Sequence, residues 1–233
     1  MLTGKRILVT GGSSGLGKAM AALFIERGAQ VLITGRDESK LAKVAEELKC
    51  SYVTADVSSD DDISRTFDWI DSNWKGLDVL INNAGIGSFS ELDGLNRADF
   101  REVFEVNVYG AAMMAKEAVK RFKSEKIQGD IVNIASTASL KGFAKGSVYS
   151  ASKFALRAMT QAWQAELRPF DIRVIQVNPS EVPTAFNSPE RTERALQDKK
   201  LTPVEIAHTV LSTLEMDRRG FIPEVSVFAT NPF

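Results

Sequence analysis

Tyr149 and Lys153 stand four residues apart, the spacing that puts two side chains on one face of a helix. A phenol has a pKa of about 10 in water, too high for easy proton exchange at neutral pH. An ammonium group beside it, joined by the positive charge of an oxidised nicotinamide, favours the phenolate and lowers that value. A phenol tuned in this way donates a proton to a carbonyl oxygen as hydride arrives at carbon. Ser136, at the end of an expected strand, is placed to hydrogen-bond the same oxygen, and Asn107 to hold a water linking Lys153 to solvent. Taken alone, Tyr-x-x-x-Lys recurs on many helices by chance, so this chemistry needs independent support.

The support comes from the other end of the chain. Thr10-Gly11-Gly12-Ser13-Ser14-Gly15-Leu16-Gly17 lies where a first strand, Arg6–Val9, passes into a first helix. A plain tight turn there needs one or two glycines. Four glycines in seven residues let a diphosphate approach the backbone at a helix N-terminus, where N–H groups and the positive dipole end are on offer. A P-loop is disfavoured, because Gly17-Lys18 is followed by Ala19 and not by Ser or Thr.

After the second strand the chain reads Gly35-Arg36-Asp37. An acidic residue at this place binds both ribose hydroxyls, whereas an arginine accepts a 2′-phosphate. Asp37 is better explained as the N-cap of the next helix, so Arg36 is assigned to the phosphate and NADP(H) is favoured over NAD(H). Asp56-Val57 ends the third strand at the same sheet edge. The Asp56 carboxylate suits an adenine amino group, or equally an Asx turn beside Ser58. Asn82-Asn83-Ala84-Gly85 follows the fourth strand as a further ligand-facing terminus.

The elements that must position these residues alternate along nearly the whole length. Short runs rich in Val and Ile (Val31–Ile33, Tyr52–Thr54, Val79–Ile81, Ile131–Ile134, Arg173–Val177, Glu224–Phe228) are separated by helical stretches. Leu16, Met20, Leu23 and Phe24 show the three- and four-residue spacing of one buried helix face. Further helices are expected over Ile63–Trp74, a long stretch from Asp99 to Phe122, Val148 to Leu167 and Val204–Leu214. Strands joined in this way need crossovers, so the sheet is expected to be parallel with helices on both faces, in a single α/β domain over residues 1–233. The polar stretch from Pro183 to Thr202 resists assignment and reads as a substrate loop.

Composition removes other classes. The 233 residues carry 29 Lys plus Arg against 30 Asp plus Glu, a net charge of −1 with no basic run, so nucleic acid is not an expected partner. One cysteine, Cys50, excludes an internal disulfide and cysteine metal cages, and no metal is expected. One histidine, His208, lies far from the other candidates and reads as a surface or packing residue. The first apolar run breaks at Thr10-Gly11-Gly12, too short for a signal peptide, and no 18-residue apolar stretch spans a membrane. A cytoplasmic protein is expected. Trp69, Trp74 and Trp163 read as packing anchors.

Together, Thr10-Gly-x-x-x-Gly-x-Gly17, Asn82-Asn-Ala-Gly85, Asn107, Ser136 and Tyr149-x-x-x-Lys153 occur in the order and spacing of the short-chain dehydrogenase/reductase family, which this chain resembles over nearly its whole length. The resemblance implies a doubly wound Rossmann sheet of seven parallel strands. It implies a catalytic set in which Tyr149 is the general acid/base, Lys153 binds the nicotinamide ribose and lowers the Tyr149 pKa, Ser136 orients the carbonyl and Asn107 completes a proton relay. The implied cofactor surface comprises Thr10, Gly11, Ser13, Ser14, Gly15, Leu16, Gly17, Arg36, Asp56, Val57, Asn83, Ala84, Gly85, Lys153, Pro179, Val182 and Thr184, the last as the carboxamide ligand.

Two departures matter. The family pattern Asn-Pro-Gly is here Asn178-Pro179-Ser180, followed by Glu181-Val182-Pro183, and the C-terminus lacks the tail usual in 3-oxoacyl-carrier-protein reductases. Candidate substrate walls are Phe89, Phe143 and Phe186, with Ile86, Ser88 and Leu140. The leading expectation is an NADP(H)-dependent carbonyl reductase or alcohol dehydrogenase acting on a small-molecule substrate. The alternative is a 3-oxoacyl-carrier-protein reductase, which would meet acyl carrier protein, and the remote one is a non-catalytic NADP(H) sensor. Small residues along the helices at Val103–Val119 and Ala151–Ala165 point to a homodimer or homotetramer.

Overall fold

The computed structural model describes residues 2–186, 195, 197 and 199–231. Most of the charged part of the 183–202 segment, including Glu190 to Glu193 and Asp198, lies outside the described residues. Seven strands, β1 (Arg6–Thr10), β2 (Gln30–Gly35), β3 (Ser51–Thr54), β4 (Val79–Asn82), β5 (Asp130–Ile134), β6 (Arg173–Pro179) and β7 (Glu224–Val227), form one sheet in the order β3-β2-β1-β4-β5-β6-β7. Every pairing is parallel. The helices α1 (Gly15–Glu26), α2 (Glu38–Leu48), α3 (Asp60–Asn73), α4 (Arg97–Phe104), α5 (Ala111–Ser124), α6 (Ser147–Leu167) and α7 (Pro203–Glu215) supply the crossovers.

Because the sheet is covered on both sides, its strands are near-continuous apolar runs whose alternate residues serve two cores. Ile7 and Val9 of β1 pack with Met20 and Phe24 of α1 and Ile206 and Val210 of α7. Leu8, between them, faces the other way, into a cluster with Phe67, Ile70, Met114 and Phe122 from α3 and α5. The strand order reverses between β1 and β4, and the crevice at the C-terminal ends of these strands is where an open α/β sheet places a ligand.

The helix expected from Asp99 to Phe122 is not uniform. Between α4 and α5 the chain winds as a π-helix over Glu105–Gly110, and this irregular turn carries Asn107. Val57 is drawn into the core beneath it: a Cβ on Gly110 would stand 2.6 Å from the Val57 carbonyl oxygen. Such π insertions are found at functional sites, because the extra residue redirects a side chain without ending the helix.

Candidate active site

The turn after β1 is built by glycines where side chains are excluded. Gly15 has φ of 51°, and a Cβ on Gly17 would lie 2.2 Å from the Gly11 carbonyl oxygen. Ser14, the N-cap of α1, makes no side-chain cap bond, and no acidic residue stands in the first turn of the helix. Thr184, buried beyond β6, lies over the turn, its Cβ 3.3 Å from the Cβ position of Gly15.

Thr10 and Asn83 bind each other rather than pointing outward. The Thr10 hydroxyl accepts from the backbone N–H groups of Asn83 and Ala84, both at 3.0 Å, and Asn83 Nδ2 donates to the carbonyls of Thr10 at 2.8 Å and Gly11 at 3.1 Å. They clamp the β1 and β4 loops together at the point of strand reversal. At the end of β2, Ser13 Oγ lies 3.4 Å from the Cβ position of Gly35, so Ser13, Gly35 and Arg36 form one corner. Asp37 caps α2, accepting from Lys40 N at 3.1 Å, which holds its carboxyl below the usual carboxylate range. Asp56 closes an Asx turn onto Ser58, at 2.9 Å to the backbone and 2.7 Å to the hydroxyl, with the Arg36 guanidinium 3.8 Å from its other oxygen. Pro179 ends β6, and Val182 packs against the core behind the loop.

At the other end of the crevice, Ser136 follows β5 and opens a one-turn 3₁₀ segment, Thr137–Ser139, its Oγ accepting from Ala138 N at 3.1 Å. The same hydroxyl lies close enough to the Tyr149 phenol from α6 to favour its ionised form. One helical turn on, Lys153 is buried and donates Nζ to the Ile134 carbonyl at 3.0 Å, with the Tyr149 ring centroid 5.8 Å away and the Gly85 Cβ position 3.6 Å away. Ser136, Tyr149, Lys153 and Gly85 therefore share one corner at the C-terminal edge of the sheet.

Two features differ from the expectation. Burial pushes the Tyr149 phenol up to about 12, outweighing the effect of Ser136, while burial also pulls Lys153 down to about 8. The lysine alone does not make the phenol acidic; additional positive charge beside the ring is needed for that. Asn107 is the second. Its Nδ2 donates to Ile86 O at 2.8 Å and Ser152 Oγ at 3.0 Å, and its Oδ1 accepts from Ile86 N at 2.9 Å. Both amide hydrogens are committed, so the side chain is a strut between the β4 loop and α6.

The aromatic residues flank the phenol. The Tyr149 ring centroid is 5.5 Å from Phe89 on one side and 5.5 Å from Phe186 on the other, and Phe143 is 6.0 Å from Phe89. Phe89 is 40% and Phe143 51% exposed, so this wall opens to solvent beside Tyr149. Trp69 and Trp74 meet edge-to-face, and Trp163 packs into the core. Cys50 is half-buried with its thiol pushed up to about 11, and His208 is exposed on α7, away from this corner.

Sequence reasoning missed a second tier of polar residues. Asn82 Nδ2 donates to Ala111 O at 3.1 Å and Asn133 Oδ1 at 3.0 Å, and Asn133 donates to Thr160 at 2.8 Å, linking β4, β5, α5 and α6. The signal available was an asparagine inside the apolar run Ile131-Val-Asn-Ile134. Among the described residues no cluster of metal-ligating side chains occurs, and no helix is long and apolar enough to cross a membrane.

Comparison with known proteins agrees with this geometry. A family model described as short chain dehydrogenase matches residues 5–195. An uncharacterised oxidoreductase of Staphylococcus aureus strain MRSA252 is 31% identical over 230 residues, covering 97% of this chain and 98% of the relative. Zerumbone synthase of Zingiber zerumbet is 36% identical over 207 residues, or 86% of this chain and 77% of that protein. Among solved structures, an alcohol dehydrogenase from Thermococcus sibiricus in complex with 5-hydroxy-NADP superposes with a TM-score of 0.90 at 27% identity, over 97% of both chains. A 3-ketoacyl-(acyl-carrier-protein) reductase from Brucella melitensis in complex with NADH gives 0.89 at 27% identity over the full length of both.

Proposed function

The chain belongs to the short-chain dehydrogenase family of oxidoreductases, and from that premise we propose that it interconverts a ketone or aldehyde and an alcohol with NADP(H) as the hydride carrier. The observation that carries the reading is the corner in which the buried Tyr149 phenol stands with Ser136 and Lys153, flanked by Phe89 and Phe186, at the same C-terminal sheet edge as the glycine turn. The turn fits a dinucleotide: the cradle between Gly11 and Gly17 is one that a Cβ would fill, and it lies at the N-terminus of α1. When bound, the cofactor supplies or accepts the hydride. Ser136 and Tyr149 both donate to the carbonyl oxygen, and Tyr149 delivers the proton. Lys153 holds positive charge below the ring, and Asn107 fixes the distance between the Gly85–Ile86 backbone and α6.

NADP(H) is preferred to NAD(H) on the chemistry of the β2 corner. Arg36, half-exposed with its guanidinium 3.8 Å from Asp56, brings a positive charge to this corner, while the Asp37 carboxylate that would bind a free ribose is spent on capping α2. The exposed rings of Phe89 and Phe143 and the half-buried ring of Phe186 favour a neutral, apolar carbonyl compound of modest size over a charged one. A 3-oxoacyl-carrier-protein reductase remains the second reading, on the full-length likeness to the Brucella melitensis enzyme. A homodimer or homotetramer is the proposed assembly.

The test is consumption of NADPH and, separately, NADH over a panel of diones, keto esters and acetoacetyl thioesters, with Tyr149→Phe and Arg36→Ala alongside. Turnover with NADPH should fall by about 10³-fold or more in Tyr149→Phe, as for loss of a general acid with its hydrogen bond. Arg36→Ala should raise KM for NADPH and leave that for NADH unchanged. A preference for acetoacetyl thioesters would select the second reading, and tight NADPH binding without turnover on any substrate would select a sensor.

A further inference from the structure

Ser136 and Tyr149 come from different elements, and the approach of one hydroxyl to the other is only as firm as the path that joins their supports. The short path is the packing of the 3₁₀ segment on α6. A longer path is made of buried polar groups. Ser139, the last residue of that segment and fully buried, donates Oγ to Asn178 Oδ1 at 3.0 Å. Asn178, also fully buried near the end of β6, donates Nδ2 to Glu224 Oε1 on β7 at 2.9 Å. The other oxygen of Glu224 accepts from Arg157 Nε at 3.2 Å and Nη2 at 3.1 Å. Arg157 lies on α6 one turn beyond Lys153 and two beyond Tyr149. The bonds thus leave the serine's turn, cross the two outer strands and return to the helix that carries the phenol.

Asn178 is the junction of this circuit. The position needs an acceptor toward Ser139 and a donor toward Glu224 at once, and a side-chain amide supplies both without charge. Gln176 Nε2 donates to the same Asn178 oxygen at 2.8 Å and to Ser139 Oγ at 3.3 Å, which fixes which way the amide faces. Ser139, Asn178 and Gln176 are buried too deeply to exchange their partners for water, so each bond among them restricts a rotamer firmly, while Glu224 and Arg157 close the circuit from the partly exposed side. We propose that Asn178 is a positioning residue for the reaction, holding the Ser136 hydroxyl against the Tyr149 phenol through Ser139 on one side and through Glu224 and Arg157 on the other. The inference rests on the reading of Ser136 and Tyr149 as the reacting pair.

The experiment exchanges donor for acceptor. Asn178→Asp keeps the oxygen that Ser139 uses but sets a second carboxylate against Glu224. Adding Glu224→Gln restores the bond with its direction reversed, the new amide donating to Asp. In the single variant, kcat should fall about tenfold with KM for NADPH and carbonyl substrate nearly unchanged, the size expected when reacting groups lose their alignment. Because Ser136 lowers the phenol pKa, the pH at which alcohol oxidation reaches half its maximum should move upward. The 13Cζ resonance of Tyr149 at pH 7, assigned with Tyr149→Phe, should shift in the single variant. In the double variant it should return, and kcat should recover to within about threefold of native.

Native kcat, pH profile and resonance in Asn178→Asp would overturn the proposal, as would a double variant no better than the single one. Ser139→Ala cuts the first link by deleting one hydroxyl, and it serves if Asn178→Asp does not fold: the same loss of kcat and the same 13Cζ shift are expected, and native behaviour overturns the proposal. If the native protein reduces no carbonyl compound, the functional reading fails by itself, and the 13Cζ shift still reports whether Asn178 positions the pair.

Discussion

Lys153 is the residue whose place in the structure opposes its usual charge. It is buried beneath Tyr149, it donates to the Ile134 carbonyl, and burial brings its pKa down from 10.5 to about 8. A lysine whose folded-state value is depressed binds its proton less readily in the folded chain than in the unfolded one. The unfolded state therefore holds more protons between about pH 8 and 10.5, and this residue's contribution to stability improves as pH rises through that window. Lys153→Met, which fills the same space without charge, should raise stability at pH 7 by about 2 kcal/mol, allowing for the lost bond to Ile134. The gain should vanish near pH 10.5, while turnover is abolished. Thermal melts of both proteins between pH 7 and 10.5 measure this, and a pH-independent difference would refute it. The phenol has the opposite sign. Its folded value, raised from 10.0 to about 12, makes stability fall as pH rises from 10 toward 12. The proposed catalytic pair is costly to bury and neutralise, a cost in stability that keeping reactive groups dry would explain.

At the scale of elements, the end of the sheet opposite the site is fastened by charge. Asp130, at the start of β5, accepts from Arg173 on β6 at 2.7 and 3.0 Å and from Arg218 at 3.2 and 3.1 Å. Arg173 also donates to the carbonyls of Leu214 and Met216, and Arg218 to those of Gly129 and Asp171, so one acid and two arginines hold the chain reversal between α7 and β7. Asp130→Ala leaves Arg173 buried and unpaired, and should cost about 3–5 kcal/mol. Denaturant unfolding measures it, and kcat per folded molecule should stay native, since Ser136 lies beyond the far end of the same strand. None of this clamp was legible in the sequence: Asp130 and Arg173 meet across 43 residues, and no local pattern records a pairing between parallel strands. What was legible is local or periodic. The Asp37 cap, the glycine turn, the apolar strands and the seven-stranded parallel sheet implied by the family resemblance are all in the structure. The π-helix around Asn107 was not, because one inserted residue leaves the flanking helical periodicity intact. The phenylalanines on either side of Tyr149 come from three separate loops; their residue type suggested a wall, but only the fold shows that they flank the phenol.

For the whole molecule, the outer face of α6 bears on assembly. Ala151, Phe154, Ala158, Ala162 and Ala165 are exposed at three-, four- and seven-residue spacings, and Phe154 is 43% exposed. On the π-helix, which packs against α6, Tyr109 is 55% exposed. A helix face of alanines with two aromatic rings near it carries no charge to keep it in water, and small side chains let a second helix approach closely. A self-complementary patch closes most economically about a twofold axis, with α6 of one protomer against α6 of the next. A stable pairing needs about 1,200–2,000 Å² of total buried surface, so α6 alone is too small and the π-helix and α5 must join it. The chain should sediment as a dimer or a multiple of two at micromolar concentration. Ala158→Glu would place four or more extra methylene and carboxylate atoms per protomer at the centre of the patch and bring like charges together across the axis. That variant should sediment as a monomer with an unchanged far-ultraviolet circular dichroism spectrum. A native protein that sediments as a monomer, or an Ala158→Glu variant that stays dimeric, would show that this face is not the interface.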